Sequence, residues 1–139
     1  MFVLLAVPAA PAAPADMAAK ADGTKITARG SEYGRMLWAP GRQGIDMFGN
    51  AAPQKSPCYG RCAKEWPPVL TKGQPRAGRG LDPQLLGTTR RRNDDRQVTY
   101  AGKPLYTYTH EGRNDVFCHD VELNGGYWWV LGPDGERRP

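Results

Sequence analysis

Glycine and proline set the scale of what this chain can build. It carries 17 glycines and 13 prolines among 139 residues. They are scattered along its length, so no apolar run extends far as one helix or strand. That excludes a helix bundle, a coiled coil or a TIM barrel, and leaves short elements joined by many turns. The length allows one domain. Apolar residues make up 40% and charged residues 24%, the ordinary balance of a globular protein. No apolar stretch approaches the roughly 20 residues of a membrane-spanning helix, so no transmembrane span is expected.

The first residues read as a targeting segment. Met1 to Val7 is apolar, and Pro8 to Ala15 contains only proline and alanine. Ala13 and Ala15 form an A-x-A cleavage pattern before Asp16, although a charged start is missing. The expected organisation is a signal segment over 1–15, a flexible leader over 16–24 and a folded domain over 25–136. The expected location is secreted or periplasmic. No cysteine follows the apolar run, so a lipid anchor is not supported.

The net charge of +5 is unevenly spread. Residues 55–103 hold most of the excess base, including Arg90, Arg91, Arg92 and Arg96, whereas residues 104–139 are acidic. Asp94 and Asp95 interrupt the arginine run, which reads as a solvated hairpin rather than a nucleic-acid surface. No zinc finger, RRM or helix-turn-helix pattern accompanies it.

The local pattern is mostly short strands. Candidates are Thr24–Ala28, Arg35–Trp38, Ile45–Phe48, Val69–Thr71, Gln97–Tyr100, Pro104–Thr109 and Tyr127–Leu131. Ala101-Gly102-Lys103 reads as a three-residue hairpin loop. Cys58 to Trp66 reads as a short helix stopped by Pro67 and Pro68. Asp82 caps a helical turn opened by Pro83. The fold class is therefore mainly β (α+β with one or two short helices), in a compact single domain. A weak internal repeat divides it into two β units. Ile45-Asp46-Met47-Phe48, a loop with cysteine and Trp66–Leu70 form the first; Leu105-Tyr106-Thr107-Tyr108, a loop with cysteine and Trp128–Leu131 form the second.

Three cysteines supply the sharpest chemistry. Cys58 and Cys62 on one helical face would lie about 6 Å apart between Cα atoms, within disulfide reach. A Cys62–Cys118 bond would close a long loop worth roughly 4 kcal/mol in the chain-entropy picture. Spacing alone leaves all three pairings open. Cys58 and Cys62 with Cys118 or His119 would also suit a soft metal, copper or zinc. That C-x3-C pair with a distant histidine is similar, by spacing alone, to the ligand set of exported copper chaperones. Cys118-His119 is a weak nucleophile–base pair, because neighbours on a strand point to opposite faces. His110 and His119 read as surface loop residues. Asp115, Asp120 and Glu122 lack EF-hand spacing. No G-x-S-x-G, H-E-x-x-H, Walker A, G-x-G-x-x-G or C-x-x-C string occurs. Trp128 and Trp129 are adjacent, so only one can face a core; the other, beside Tyr127, is left as a ligand or partner surface.

Cys58-Tyr-Gly-Arg-Cys62-Ala-Lys-Glu-Trp66-Pro-Pro-Val69 resembles the C-x-G-x-C-A-x-x-W-P-P segment of the bacterial secreted repeat family of unknown function, predicted lipoproteins with a Tyr-x4-Asp motif. Gly102-Lys-Pro-Leu-Tyr106 is similar to its G-x-P-L-Y segment, Gly125-Gly126-Tyr-Trp128 to its G-G-x-W strand and Gly132-Pro-Asp-Gly135 to its closing turn. In the second unit Tyr106 is followed by Glu111 where the motif has aspartate; in the first, Asp46 and Ala51 stand at the motif's Tyr and Asp positions. The resemblance implies an exported envelope protein without established biochemical activity. It also implies a Cys58–Cys62 disulfide, and marks Trp66, Tyr106, Glu111 and Trp128 as motif residues. The resulting expectation is a non-enzymatic binding or structural domain with no cofactor, whose partner is an envelope protein or a small ligand. The alternative is a copper-binding or thiol-redox protein using Cys58 and Cys62.

Overall fold

A computed structural model describes residues 23–49 and 55–139. The targeting segment 1–15, most of the leader and Ala51 lie outside the described residues. The fold is mainly β, built from two sheets. Strands β1 (Lys25–Ser31), β2 (Gly34–Ala39), β3 (Gln43–Gly44) and β5 (Arg76–Ala77) form the first, in the order β3-β2-β1-β5. Strands β4 (Asp46–Phe48), β6 (Leu86–Arg90), β7 (Arg96–Tyr100), β8 (Lys103–Tyr106), β9 (Val121–Leu123) and β10 (Gly126–Val130) form the second, in the order β6-β7-β8-β4-β10-β9. Only the β1–β5 pair is parallel; the other named pairs are antiparallel.

The sheets share one apolar core. Ile26 and Ala28 from β1, Leu37 from β2, Val98 and Tyr100 from β7, and Leu105 and Leu131 pack together there. On β1 the buried Ile26 and Ala28 alternate with Lys25, Thr27 and Arg29, the period of two that turns one face inward. Main-chain bonds from Leu37 N–H to the Leu131 carbonyl and from Ile45 N–H to the Leu37 carbonyl tie one sheet to the other.

The two sequence units exchange their return segments. Strand β4 of the first unit pairs with β10 of the second, placing Phe48 opposite Trp128. Strand β8 of the second unit bridges to the first through Pro68 and Tyr106, while Thr107 N–H bonds the Pro67 carbonyl. The opening strands β4 and β8 pair directly, Asp46 against Tyr106. Neither unit is thus a half-domain with its own core; each completes the other's sheet.

Several local expectations need correction. Helix α1 spans only Arg61–Glu65. Gly60, with φ 57°, turns the chain just before it, so Cys58 precedes the helix. Segment 69–71 forms one isolated bridge, Leu70 to Gln97, rather than a strand. Strand β8 stops at Tyr106, because Thr107 and Thr109 give their amides to Pro67 and Glu65. The hairpin between β7 and β8 has a two-residue turn, since Tyr100 pairs with Lys103. Ala101 and Gly102 both have positive φ, 51° and 77°, the twist a two-residue hairpin turn prefers. The turn after Asp82 forms as expected: Pro83–Leu85 is a 3₁₀ turn, and the Asp82 carboxylate accepts the Gln84 N–H at 2.9 Å.

Candidate functional site

The segments that swap between units bring the motif residues to one place. Trp66, Tyr106 and Trp128 are fully buried together with Phe48, Cys58 and Cys118, and Cys62 packs against them. The Trp66 and Trp128 rings stack with centroids 3.8 Å apart and planes within 1°. Tyr106 meets Trp128 edge-on at 5.2 Å and Phe48 does so at 4.7 Å. Tyr108 covers the other side of Trp66 at 4.2 Å. Both indole N–H groups are satisfied: Trp66 donates to Asn124 Oδ1 and Trp128 to the Leu123 carbonyl, each at 2.9 Å. Cys58 and Cys62 are bonded, with Cα atoms 5.3 Å apart. The bond closes the turn at Gly60 against this stack.

Tyr106 and Glu111 do not pair with each other. The Tyr106 hydroxyl bonds Ser56 Oγ. Ser56 in turn accepts from Arg91, whose guanidinium also donates to Gln97 Oε1 at 2.9 Å and to the Cys58 carbonyl at 2.7 Å. Tyr59 lies under the Arg91 guanidinium at 4.3 Å and under that of Arg92 at 3.9 Å. The sequence suggests a solvated hairpin around Arg91, yet the side chain is buried. The loop between β6 and β7 turns it inward, where Ser56, Gln97 and the Cys58 carbonyl supply the acceptors a buried guanidinium needs. No signal in the arginine run distinguishes it from Arg90 or Arg92. Arg91→Ala leaves Gln97 and the Cys58 carbonyl without this donor and is expected to destabilise the fold by about 2 kcal/mol. Arg90→Ala, which removes an exposed 3.9 Å ion pair with Asp94, should leave the urea midpoint unchanged.

Glu111 belongs instead with Asp46 and Cys118. Glu111 and Asp46 are both buried, and among the described residues none of their four carboxylate oxygens has a hydrogen-bond partner in full geometry. Burial drives the Asp46 carboxyl well above the usual range, and the charge of Glu111 adds to it. Burial likewise raises Glu111 to about 7, with Asp115 adding to the rise. The Phe117 and Cys118 amides face the Glu111 carboxylate and oppose the rise, but neither reaches it at full hydrogen-bonding geometry. Burial first, and then Glu111 and Asp46, push the Cys118 thiol up to about 12. Cys118 is therefore a protonated, sequestered thiol, a poor nucleophile and a poor ligand as it stands. Alkylation and mass analysis should count no reactive thiol in the native protein, one after denaturation, and three only after reduction. Three thiols on denaturation alone would contradict the bonded pair.

His119 is not part of this cluster. Its Nδ1 accepts the Val130 N–H at 3.1 Å and its Nε2 sits 3.0 Å from the Pro139 main-chain oxygen. Its ring packs on Tyr33 at 4.3 Å. So Cys118 and His119, adjacent in sequence, face opposite surroundings. Among the described residues no group of three or more His, Cys, Asp or Glu is arranged to hold a metal ion. Of the paired tryptophans, Trp128 takes the core and Trp129 the rim, where Arg137 covers it at 4.0 Å. Tyr127, 45% exposed, lies beside Trp129 on the same face of β10. Among the described residues no helix is long and apolar enough to cross a membrane. Comparison with known protein families, curated proteins and solved structures finds no match to this chain.

Proposed function

We propose that the protein is an exported bacterial envelope domain of the secreted repeat type, acting by binding rather than by catalysis. One observation carries this reading. The side chains of the family-like motifs, Cys58, Cys62, Trp66, Tyr106 and Trp128, are packed in a single closed cluster, which is what residues that build a scaffold do. Outside this cluster Tyr127 and the rim of Trp129 lie together next to the outer strand β9. Such a surface offers broad apolar contact with polar edges to a partner. The Cys58–Cys62 disulfide is a weak further support, since such bonds persist in oxidising compartments.

Expression of the full chain in a bacterial host tests the proposal. The protein should be recovered from the periplasm with Cys58 and Cys62 bonded. A variant lacking residues 2–15 should stay inside the cell with the pair reduced. The purified domain should sediment with isolated envelope fragments, and the double variant Tyr127→Ala/Trp129→Ala should not. Retention of the full chain in the cytoplasm, or equal sedimentation of the double variant, overturns the reading.

A second reading, soft-metal or thiol-redox chemistry, is favoured by one feature: Cys118 packs in the same cluster as Cys58, with Cys62 against it. Reduction would place three thiols around one aromatic stack. Reduced protein that takes up about one copper(I) per chain, with all three thiols protected from alkylation, would establish this reading. One free thiol and no copper after the same challenge would remove it.

A further inference from the structure

A cluster of basic side chains without ion-pair partners among the described residues lies on the first sheet, away from the motif cluster. An open groove of about 620 Å³ runs along β1. Lys25 and Arg29 from β1, Arg42 from the turn between β2 and β3, Arg76 from β5, and Arg79 just after it line this groove, with no carboxylate among its walls. Between the basic side chains the groove is lined by Thr24, Thr27, Pro40 and Gly41, while the side chains of Ala28 and Ala39 belong to the core. None of the five basic side chains is in an ion pair among the described residues. Arg76 is anchored, its Nε donating to the Gly23 carbonyl at 2.8 Å.

The fold assembles this site from segments far apart in sequence. Strand β1 alternates, so Lys25, Thr27 and Arg29 point away from the core that holds Ile26 and Ala28. The parallel pairing of β5 sets Arg76 beside Lys25. The Gly78 N–H bonds the Ile26 carbonyl and the Ala28 N–H lies 3.4 Å from the Arg79 carbonyl, which bring Arg79 alongside Arg29. No sequence run shows the cluster, because each segment contributes only one or two bases.

Five like charges around one concavity repel one another and raise the local concentration of anions. Four of the five are arginine, whose planar fork matches phosphate and carboxylate oxygens in pairs. From Lys25 to Arg29 the strand covers about 13 Å at roughly 3.3 Å per residue. A single phosphate cannot bridge that span; an extended ligand with several can. We propose that this groove binds a soluble, extended ligand bearing two or more phosphate groups. The uncharged wall of Thr24, Thr27, Pro40 and Gly41 leaves room for the backbone between them, and the concave shape favours a small ligand over the flat surface of a membrane.

Titration calorimetry of the folded protein with a short linear inorganic polyphosphate tests this, with orthophosphate and phosphatidylglycerol vesicles as comparison probes. Polyphosphate should bind at least tenfold more tightly than orthophosphate, and its affinity should fall steeply with salt. The triple variant Lys25→Gln/Arg29→Gln/Arg79→Gln should lose at least tenfold. Arg76 is left intact because it holds Gly23. The control Arg61→Gln/Arg90→Gln/Arg96→Gln removes the same charge from other exposed positions and should stay within twofold of the parent. Far-UV circular dichroism checks that both variants are folded. Equal losses in the two triple variants would mean general attraction to a basic protein and overturn the site. Tight binding to vesicles with none to polyphosphate, or no binding to either, would overturn it as well.

Discussion

Replacing Trp128 by alanine is expected to cost about 3–5 kcal/mol, the usual range for emptying a fully buried indole site. Total stability for a domain of this size is about 5–15 kcal/mol, so the variant should be close to unfolding. The size follows from the contacts. Trp128 is completely buried, stacks on Trp66, meets Phe48 and Tyr106 edge-on, and donates its N–H to the Leu123 carbonyl. Those partners come from both units: Phe48 and Trp66 from the first, Tyr106 from the second. Deleting the ring leaves a void that neither unit can fill alone. Trp129→Ala removes a ring at the rim, held by Arg137 and only partly buried, and should cost much less. Urea midpoints at constant slope measure the difference. Near-UV circular dichroism supplies an independent sign, because the coupled indole signal should vanish in Trp128→Ala and Trp66→Ala and survive in Trp129→Ala. Trp66→Ala combined with Trp128→Ala should cost less than the two singles together, since the second loss removes a contact already gone. Equal costs for Trp128→Ala and Trp129→Ala would show that the stack is not the centre of this half of the fold.

The sequence pattern makes the short strands legible, but not their partners. Strands β1, β2, β4, β7, β8 and β10 fall where alternation and turn residues put them, within a few residues, because those signals are local. The exchange of return segments between units is not local. It depends on Trp66 meeting Trp128 across the interface, which no spacing encodes. The same distinction separates the site residues. Cys58, Cys62, Trp66, Tyr106 and Trp128 stand in recognisable strings, and they do converge. Arg91 is hidden within a run of three identical residues, and only the loop conformation selects it for burial. Asp46 sits in a strand whose other face carries Met47, and its burial follows from the strand pairing with Tyr106 and Val130 on either side. Asp46, from the first unit, and Glu111, from the second, are buried close enough for the charge of Glu111 to act on Asp46 and for both to act on Cys118.

Burial of these two acids is expected to make the protein less stable as pH rises, which reverses the usual behaviour of carboxylates paired with cations. In the folded chain burial raises both Asp46 and Glu111 above their ordinary values, Glu111 from 4.5 to about 7. Between these limits the native state holds protons that the unfolded chain has released. Stability is then full below the ordinary carboxylate range, is lost as pH climbs through the folded value near 7, and stays low beyond it. The Glu111 shift corresponds to at most about 3 kcal/mol, and Asp46 acts with the same sign. Asp134 opposes them in a separate window. The Glu136 amide, and then Arg138, hold its carboxyl below the ordinary range, so it contributes above that range and loses its effect only as the solution becomes strongly acidic. Urea unfolding at pH 5 and pH 8 should therefore give the higher midpoint at pH 5. Glu111→Gln keeps the shape and the burial but carries no charge to lose, so it should flatten the slope and exceed the parent at pH 8. Asp46→Asn should do the same. A second readout separates electrostatics from packing. Glu111 is the larger of the two charges that raise Cys118, so the thiolate absorbance of Glu111→Gln should appear at lower pH than in the parent. An unchanged thiol titration, or a parent midpoint equal at both pH values, would show that the two acids find partners in solution and that Cys118 is held by burial alone.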